Sequence, residues 1–181
     1  EHIQEADGYG PVSAEHLSGE RLPYADSLVN LIIVEDPQGI SRDEILRVLV
    51  PNGVALIRAG DDWKKVVKPW PGDIDEWTHF MHGPDNNAVA KDTRVSSPQR
   101  LQWLGGPKWA RGHEVLATIS AVVTAKGRIF YIADMGPIAS VDLPPQWRLI
   151  ARDAFNGILL WEKEITKWEW THRPFRSGPT H

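Results

Sequence analysis

The chain contains no cysteine. That absence excludes a disulfide framework and any thiolate zinc or redox centre. It fits a reducing or an oxidising compartment equally well, so it does not choose between them. Long apolar runs are missing too. The longest, Leu-Val-Asn-Leu-Ile-Ile-Val at 28–34, falls far short of the roughly 20 residues a helix needs to span a bilayer. There is no long basic run and no basic helix face. A net charge of −4 and a pI near 6.0 give nucleic acid no electrostatic footing. No Ser/His/Asp order and no nucleophile elbow is visible. The start, Glu1-His2-Ile3-Gln4, has no initiator Met, no basic stretch and no apolar signal stretch. The end, Ser177-Gly178-Pro179-Thr180-His181, follows a Trp-rich segment without a stop signal. Ends that fall in mid-pattern predict a fragment of a longer chain.

What is present is an ordinary globular composition over 181 residues, 41% hydrophobic and 24% charged, which is room for one or two domains. The tryptophans divide it unevenly: of nine, only Trp63 precedes Trp70. The run 28–34 ends in Glu35-Asp36 and predicts a strand buried on both faces. Ser41 and Glu44 form a capping box, with Ile45, Leu46, Val48 and Leu49 as the apolar helix face behind it. Pro51-Asn52-Gly53 ends that helix and turns the chain, and 54–58 reads as the next strand. Strand, helix, strand predicts a βαβ unit in the segment 1–67. The basic, proline-containing stretch from Lys64 to Gly72 reads as a connection, which sets a linker at 68–76 and a second part at 77–181.

The second part predicts a short helical turn over 73–80, a polar loop at 83–87 and a short edge strand at 101–104. Then come four strands, at 120–124, 128–133, 147–152 and 158–165, joined by turns that include Ala125-Lys126-Gly127 and Asp153-Ala154-Phe155-Asn156-Gly157. Four short antiparallel strands with tight turns make one propeller blade. The segment 151–161 has the form A-x-D-x-x-x-G-x-x-x-W, filled by Ala151, Asp153, Gly157 and Trp161. Each residue has a physical role. Ala151 is small where blades meet. Asp153 can accept from turn amides, Gly157 can take a positive φ, and Trp161 offers a large flat surface between neighbouring blades. Trp-Thr-His occurs twice, at Trp77-Thr78-His79 and Trp170-Thr171-His172, with no repeat around it.

The 151–161 segment resembles the tryptophan-docking motif of quinoprotein β-propellers. Upstream, Trp77, Asp85, Asn86, Asn87, Pro98, Leu101 and Trp103 resemble the lead-in of such propellers. The segment from Arg21 to Val34, with Glu44 to Val54, resembles the late core of class I methyltransferases. It departs from that family at Asn52 and Asn30, and the glycine loop that would hold S-adenosylmethionine is not in the chain. Together these matches resemble the PQQ-binding-like β-propeller repeat proteins of bacteria. The resemblance implies an α/β plus all-β fold: the C-terminal part of a Rossmann-like sheet, followed by the first blade of a quinoprotein-type propeller. It also implies a periplasmic or cell-envelope setting, and the remaining propeller blades as partners.

Chemistry is thinly marked. His79 and His82, at i and i+3, would share one face of a helix and are metal candidates, with His113, Glu114 or His172 as further ligands. Asp85, Asn86 and Asn87 offer oxygens to calcium or satisfy their own loop. Trp168 and Trp170 would give one strand face an aromatic lining. A binding or assembly platform requires only the blade and its docking motif. A PQQ-dependent oxidoreductase would need PQQ and Ca2+ held by residues from several blades. A methyltransferase remnant would need the missing loop. A lone blade also predicts self-association of the chain, or docking of the blade on the chain's own Rossmann-like part.

Overall fold

The computed structural model describes residues 12–17, 19–37, 39–94, 97, 101–106, 119–139 and 143–166. The chain divides into two compact units, Glu1–Leu49 with Gly53–Lys68, and Val50–Asn52 with Pro69–His181. Seven strands form two sheets, and one seven-residue helix completes the regular structure among the described residues. None of their helices is long and apolar enough to cross a membrane.

In unit one, β1 (Val29–Val34) leads to α1 (Arg42–Val48), β2 (Leu49–Ala59) and β3 (Asp62–Val67). Ser41 caps α1: its Oγ accepts from the Glu44 amide at 3.1 Å, satisfying one of the free amides of the first turn. Asp43 and Glu44 sit at the positive end of the helix and Arg47 at the negative end, the order the helix dipole favours. Ile45 and Leu49 pack with Ala55 and Val66 as the core, flanked by Ile32, Val34 and Ile57.

The expected α/β architecture is not found. β1 and β2 pair in parallel across α1, but β3 returns antiparallel to β2. A Rossmann-like sheet needs another helical crossover after β2. Here Gly60, at φ +69°, turns the chain straight back at Gly60-Asp61, pairing Ala59 with Asp62. Among the described residues the regular structure is almost entirely β. Pro51-Asn52-Gly53 does not separate helix from strand either. It lies inside β2 as an irregularity, with Val29 opposite Leu49 and Leu31 opposite Val54, and Asn52 takes φ +64°. Lys64 and Lys65, read as part of a connection, lie in β3. β1 is covered on one face only, since Leu31 and Ile33 are 54% and 57% exposed.

Unit two holds β4 (Ile119–Ala125), β5 (Arg128–Asp134), β6 (Trp147–Asp153) and β7 (Leu159–Glu164), an antiparallel meander in sequence order. Lys126 and Gly127 both take positive φ, 49° and 72°. That is the mirror-image turn whose twist matches a right-handed hairpin. No helix forms over 73–80: His79 and His82 flank a two-residue turn and exchange backbone hydrogen bonds at 3.1 Å. Residues 101–104 run without a ladder. Trp77 instead meets the β4 edge. Its amide donates to Thr124 Oγ1 at 2.7 Å, and the Thr124 amide donates to its carbonyl at 2.6 Å.

Candidate functional site

The docking-motif residues converge on one hairpin. Asp153 ends β6 and builds the turn, its Oδ1 accepting from the Phe155 and Asn156 amides at 2.8 and 3.2 Å. Gly157 takes φ +74°, and its amide donates to the Asp153 carbonyl at 2.9 Å. The Trp103 indole lies against Gly157 so closely that a Cβ there would stand 2.5 Å from the ring. Trp103 Nε1 donates to the Ala154 carbonyl at 3.0 Å and Gln102 Nε2 to that of Phe155 at 2.9 Å. The segment 101–106 is thereby strapped across the turn.

Arg152 is the residue of this site that motif reasoning misses. It fills the variable position between Ala151 and Asp153, where no sequence signal marks it. Its Nη1 donates to the Gly157 carbonyl at 2.8 Å and its Nε to the Tyr131 hydroxyl at 2.9 Å. The Tyr131 hydroxyl donates in turn to the Gly106 carbonyl at 3.0 Å. The network closes on the sheet face that holds Tyr131, Ala133 and Ile150, the core of the unit.

The opposite face is different. Directly paired residues share a face. Val123, Phe130, Ala151 and Trp161 lie in one row across the sheet, with Ile132 and Leu149 in the next. Ala151 is fully buried in the centre, and Trp161 is 44% exposed. The Phe130 and Trp161 rings stand 6.1 Å apart, tilted by 45°. The centre of this face is apolar and shallow with an aromatic wall, and Lys163, Arg128, Asp153 and Asp134 lie at its margins.

The outer edge of the sheet is blunted. All six residues of β7 are exposed. The register shifts between Ala151 and Arg152, so Leu160 has no partner on β6. Glu162, Lys163 and Glu164 follow, and Arg148 pairs with Glu162. A bulge and charges discourage strand addition, so the face is better suited than the edge to receive a partner.

The metal candidates take another role. His82 is 7% exposed and takes φ +74°. Its Nε2 lies 2.7 Å from Asp75 Oδ2, and its ring meets Trp77 edge-on at 5.2 Å. His82 Nδ1 is buried with no hydrogen-bond partner. His79 is exposed and shares a hydrogen bond with Thr78 Oγ1. Among the described residues no group of three or more His, Asp or Glu could hold a metal ion. Asp85 Oδ1 accepts from the Asn87 amide at 3.3 Å, so that loop satisfies itself. These donors do not fit a calcium-and-quinone site. Pro98, His113, Glu114 and residues 168–172 lie outside the described residues.

Asp75 is the hub of this loop. Its carboxylate accepts from the Lys91 and Glu76 amides at 2.7 and 2.8 Å as well as facing His82. The Lys91 amide, then His82, hold its pKa down at about 2. In unit one Arg47 does the same for Glu44, also to about 2. Both carboxyls are depressed in the folded state, so their stabilisation is complete above the ordinary carboxylate range near 4 and is lost as pH falls towards 2. Urea midpoints are expected to be level from pH 7 to about 5 and to fall steeply below about 4. Asp75→Asn should lower the neutral-pH midpoint and flatten the acid limb. An acid limb unchanged in both Asp75→Asn and Glu44→Gln would contradict the assignment.

No protein family model, curated protein or solved structure matches the chain.

Proposed function

We propose that the chain belongs to a PQQ-like β-propeller repeat protein and serves as a binding or assembly platform, its four-stranded sheet packing on a neighbouring sheet of the same kind. One observation carries this reading. The centre of the face, formed by half-buried Val123, Phe130, Ile132 and Leu149, is apolar, surrounds a fully buried Ala151 and keeps Trp161 44% exposed, with Lys163 and the Arg128–Asp153 pair at its margins. Open apolar patches of this kind mark association sites. A small residue beside a large aromatic lets a second sheet approach closely and gives it a flat anchor. The hairpin geometry supports the same reading, because Asp153, Gly157 and Trp103 fix the turn that presents Trp161. A cell-envelope setting goes with the family resemblance.

The proposed role is recognition, with further blades as partners. A dehydrogenase reading draws no support from Asp75, His79, His82 and Asp85, whose side chains serve local hydrogen bonds. Copies of the chain should satisfy this face on one another. Sedimentation equilibrium is expected to show reversible association in the micromolar range, abolished by Trp161→Glu while far-UV circular dichroism is unchanged. A monomeric native chain, or a Trp161→Glu variant that associates equally, would contradict the reading.

A further inference from the structure

The dipeptide Asn-Gly occurs twice, at Asn52-Gly53 and Asn156-Gly157. Glycine carries no side chain, so its amide nitrogen can close on the preceding asparagine with little hindrance. The two copies are alike in sequence and differ in how the fold holds them. Asn156 is half-buried in the turn after β6. Its Oδ1 accepts from the Ile158 amide at 3.1 Å, and its own amide donates to Asp153 Oδ1 at 3.2 Å. The Gly157 amide donates to the Asp153 carbonyl at 2.9 Å, and the Trp103 indole lies against Gly157. The side chain and the attacking nitrogen are thus both engaged.

Asn52 stands in the irregular part of β2. Residues 50–53 have no partner in the β1 register, which passes from Leu49 to Val54, and none in the β3 register, which begins at Val54. Asn52 takes φ +64° and is exposed, and its carboxamide makes no hydrogen bond among the described residues. Gly53 is buried, and its carbonyl accepts from the Lys68 amide at 3.0 Å, a bond that does not involve the reacting atoms. We propose that Asn52-Gly53 is a site of spontaneous deamidation and that the hairpin protects Asn156-Gly157. The Gly53 amide nitrogen attacks Asn52 Cγ and forms the new N–Cγ bond. The Cγ–Nδ2 bond breaks, and ammonia leaves with the proton of the Gly53 amide. Water then adds to one of the two imide carbonyls, and the ring opens to aspartate or isoaspartate. Either product adds a negative charge. Isoaspartate also adds a methylene to the β2 backbone, just before the pairs that Val54 makes with Leu31 and Val67. The site is independent of the Trp161 face and does not rest on the repeat-protein reading.

The test is ageing of the full chain at mildly alkaline pH and physiological temperature, followed by peptide mapping with mass spectrometry. Conversion is read as the mass gain of an amide-to-acid exchange, and fragmentation separates isoaspartate from aspartate. In the folded chain Asn52 should convert about tenfold or more faster than Asn156, the difference that the hydrogen bonds around Asn156 impose. In urea the two should convert at similar rates, because the dipeptide is the same. Asp153→Ala removes the acceptor that holds the turn, so it should speed Asn156 and leave Asn52 unchanged. Asn52→Gln keeps the amide but lengthens the ring that must close, and it should remove the fast signal. Asn156 converting as fast as Asn52 in the folded chain would overturn the proposal, as would an Asn52 that stays intact there.

Discussion

Gly157→Ala is expected to destabilise unit two by about 3 kcal/mol, the sum of a strained backbone and an overfilled contact. Gly157 sits at φ +74°, where an L side chain costs about 1 kcal/mol or more. The added Cβ would also stand 2.5 Å from the Trp103 ring, so the indole must move. Its displacement breaks the Nε1 bond to the Ala154 carbonyl and unstraps 101–106 from the hairpin. For a unit of this size the loss amounts to a drop of roughly 10–20 °C in Tm. Near-UV circular dichroism should lose the Trp103 contribution at the same time. Trp103→Leu in the same chain relieves the contact but not the backbone strain, so the double variant should recover only part of the loss. A Gly157→Ala protein that melts with the native one would show that the turn does not depend on this close approach.

Arg47→Ala should have the second largest effect, and it falls on unit one. The guanidinium reaches Glu44 through Nη2 at 2.6 Å and Nε at 2.8 Å, Asp26 at 2.6 Å, and the carbonyls of Tyr24 and Leu22 at 2.9 and 3.2 Å. Glu44 and Asp26 in turn raise the pKa of Arg47 above its ordinary value. One side chain thus ties the segment before β1 to α1. Removing it leaves Glu44, whose side chain is largely buried, with only the Leu22 amide at 2.8 Å. Breaking a pair of this kind is far costlier than breaking a surface bridge. A fall of about 5–10 °C in the unit-one transition is expected, with hydrogen-exchange protection lost first in α1 and β2. Arg47→Lys keeps the charge but not the fork, so it should recover less than half. Equal stability in all three proteins would show the network to be incidental. Lys68 is a different case. Its ammonium meets the Leu49, Arg47 and Ser27 oxygens at 2.6, 3.3 and 3.0 Å and closes the C-terminal end of α1.

Much of unit two was legible because its signals are local. Short apolar runs, the Lys126-Gly127 turn and the Asp153–Gly157 turn each act within a few residues, and the four strands form where those signals place them. Unit one was misread at the same scale. The N-cap at Ser41 marks the start of α1 correctly, though Glu44 turns to the Leu22 amide and Arg47 and leaves the box half-formed. The architecture of a sheet, however, depends on where the chain goes after β2. Gly60-Asp61 is a two-residue hairpin signal that the strand-helix-strand reading overlooks, and it replaces a crossover with a hairpin. Pro51-Asn52-Gly53 carries strong turn chemistry and is absorbed into β2, because the pairing resumes at Val54.

The candidate sites divide the same way. The turn roles of Asp153 and Gly157 follow from local spacing, and the docking roles of Ala151 and Trp161 stand as proposed. His79 and His82 were read as sharing a helical face, and without a helix the premise is gone. His82 serves the loop instead, through an Asp75 seven residues earlier. Arg152, Tyr131 and Trp103 could not be joined by spacing, since their contacts cross 21 and about 50 positions of chain. Only the folded sheet brings them together.

The Trp161 face is proposed to receive a partner sheet. The cysteine-free chain allows this to be measured with a single introduced thiol. Lys163 and Glu164 are adjacent and both exposed, but Lys163 pairs with Leu149 on the Trp161 face and Glu164 with Arg148 on the other. Oxidative cross-linking of associated copies should give disulfide-linked dimers for Lys163→Cys and little for Glu164→Cys. Equal cross-linking at both positions, or cross-linking through Glu164→Cys alone, would contradict the account.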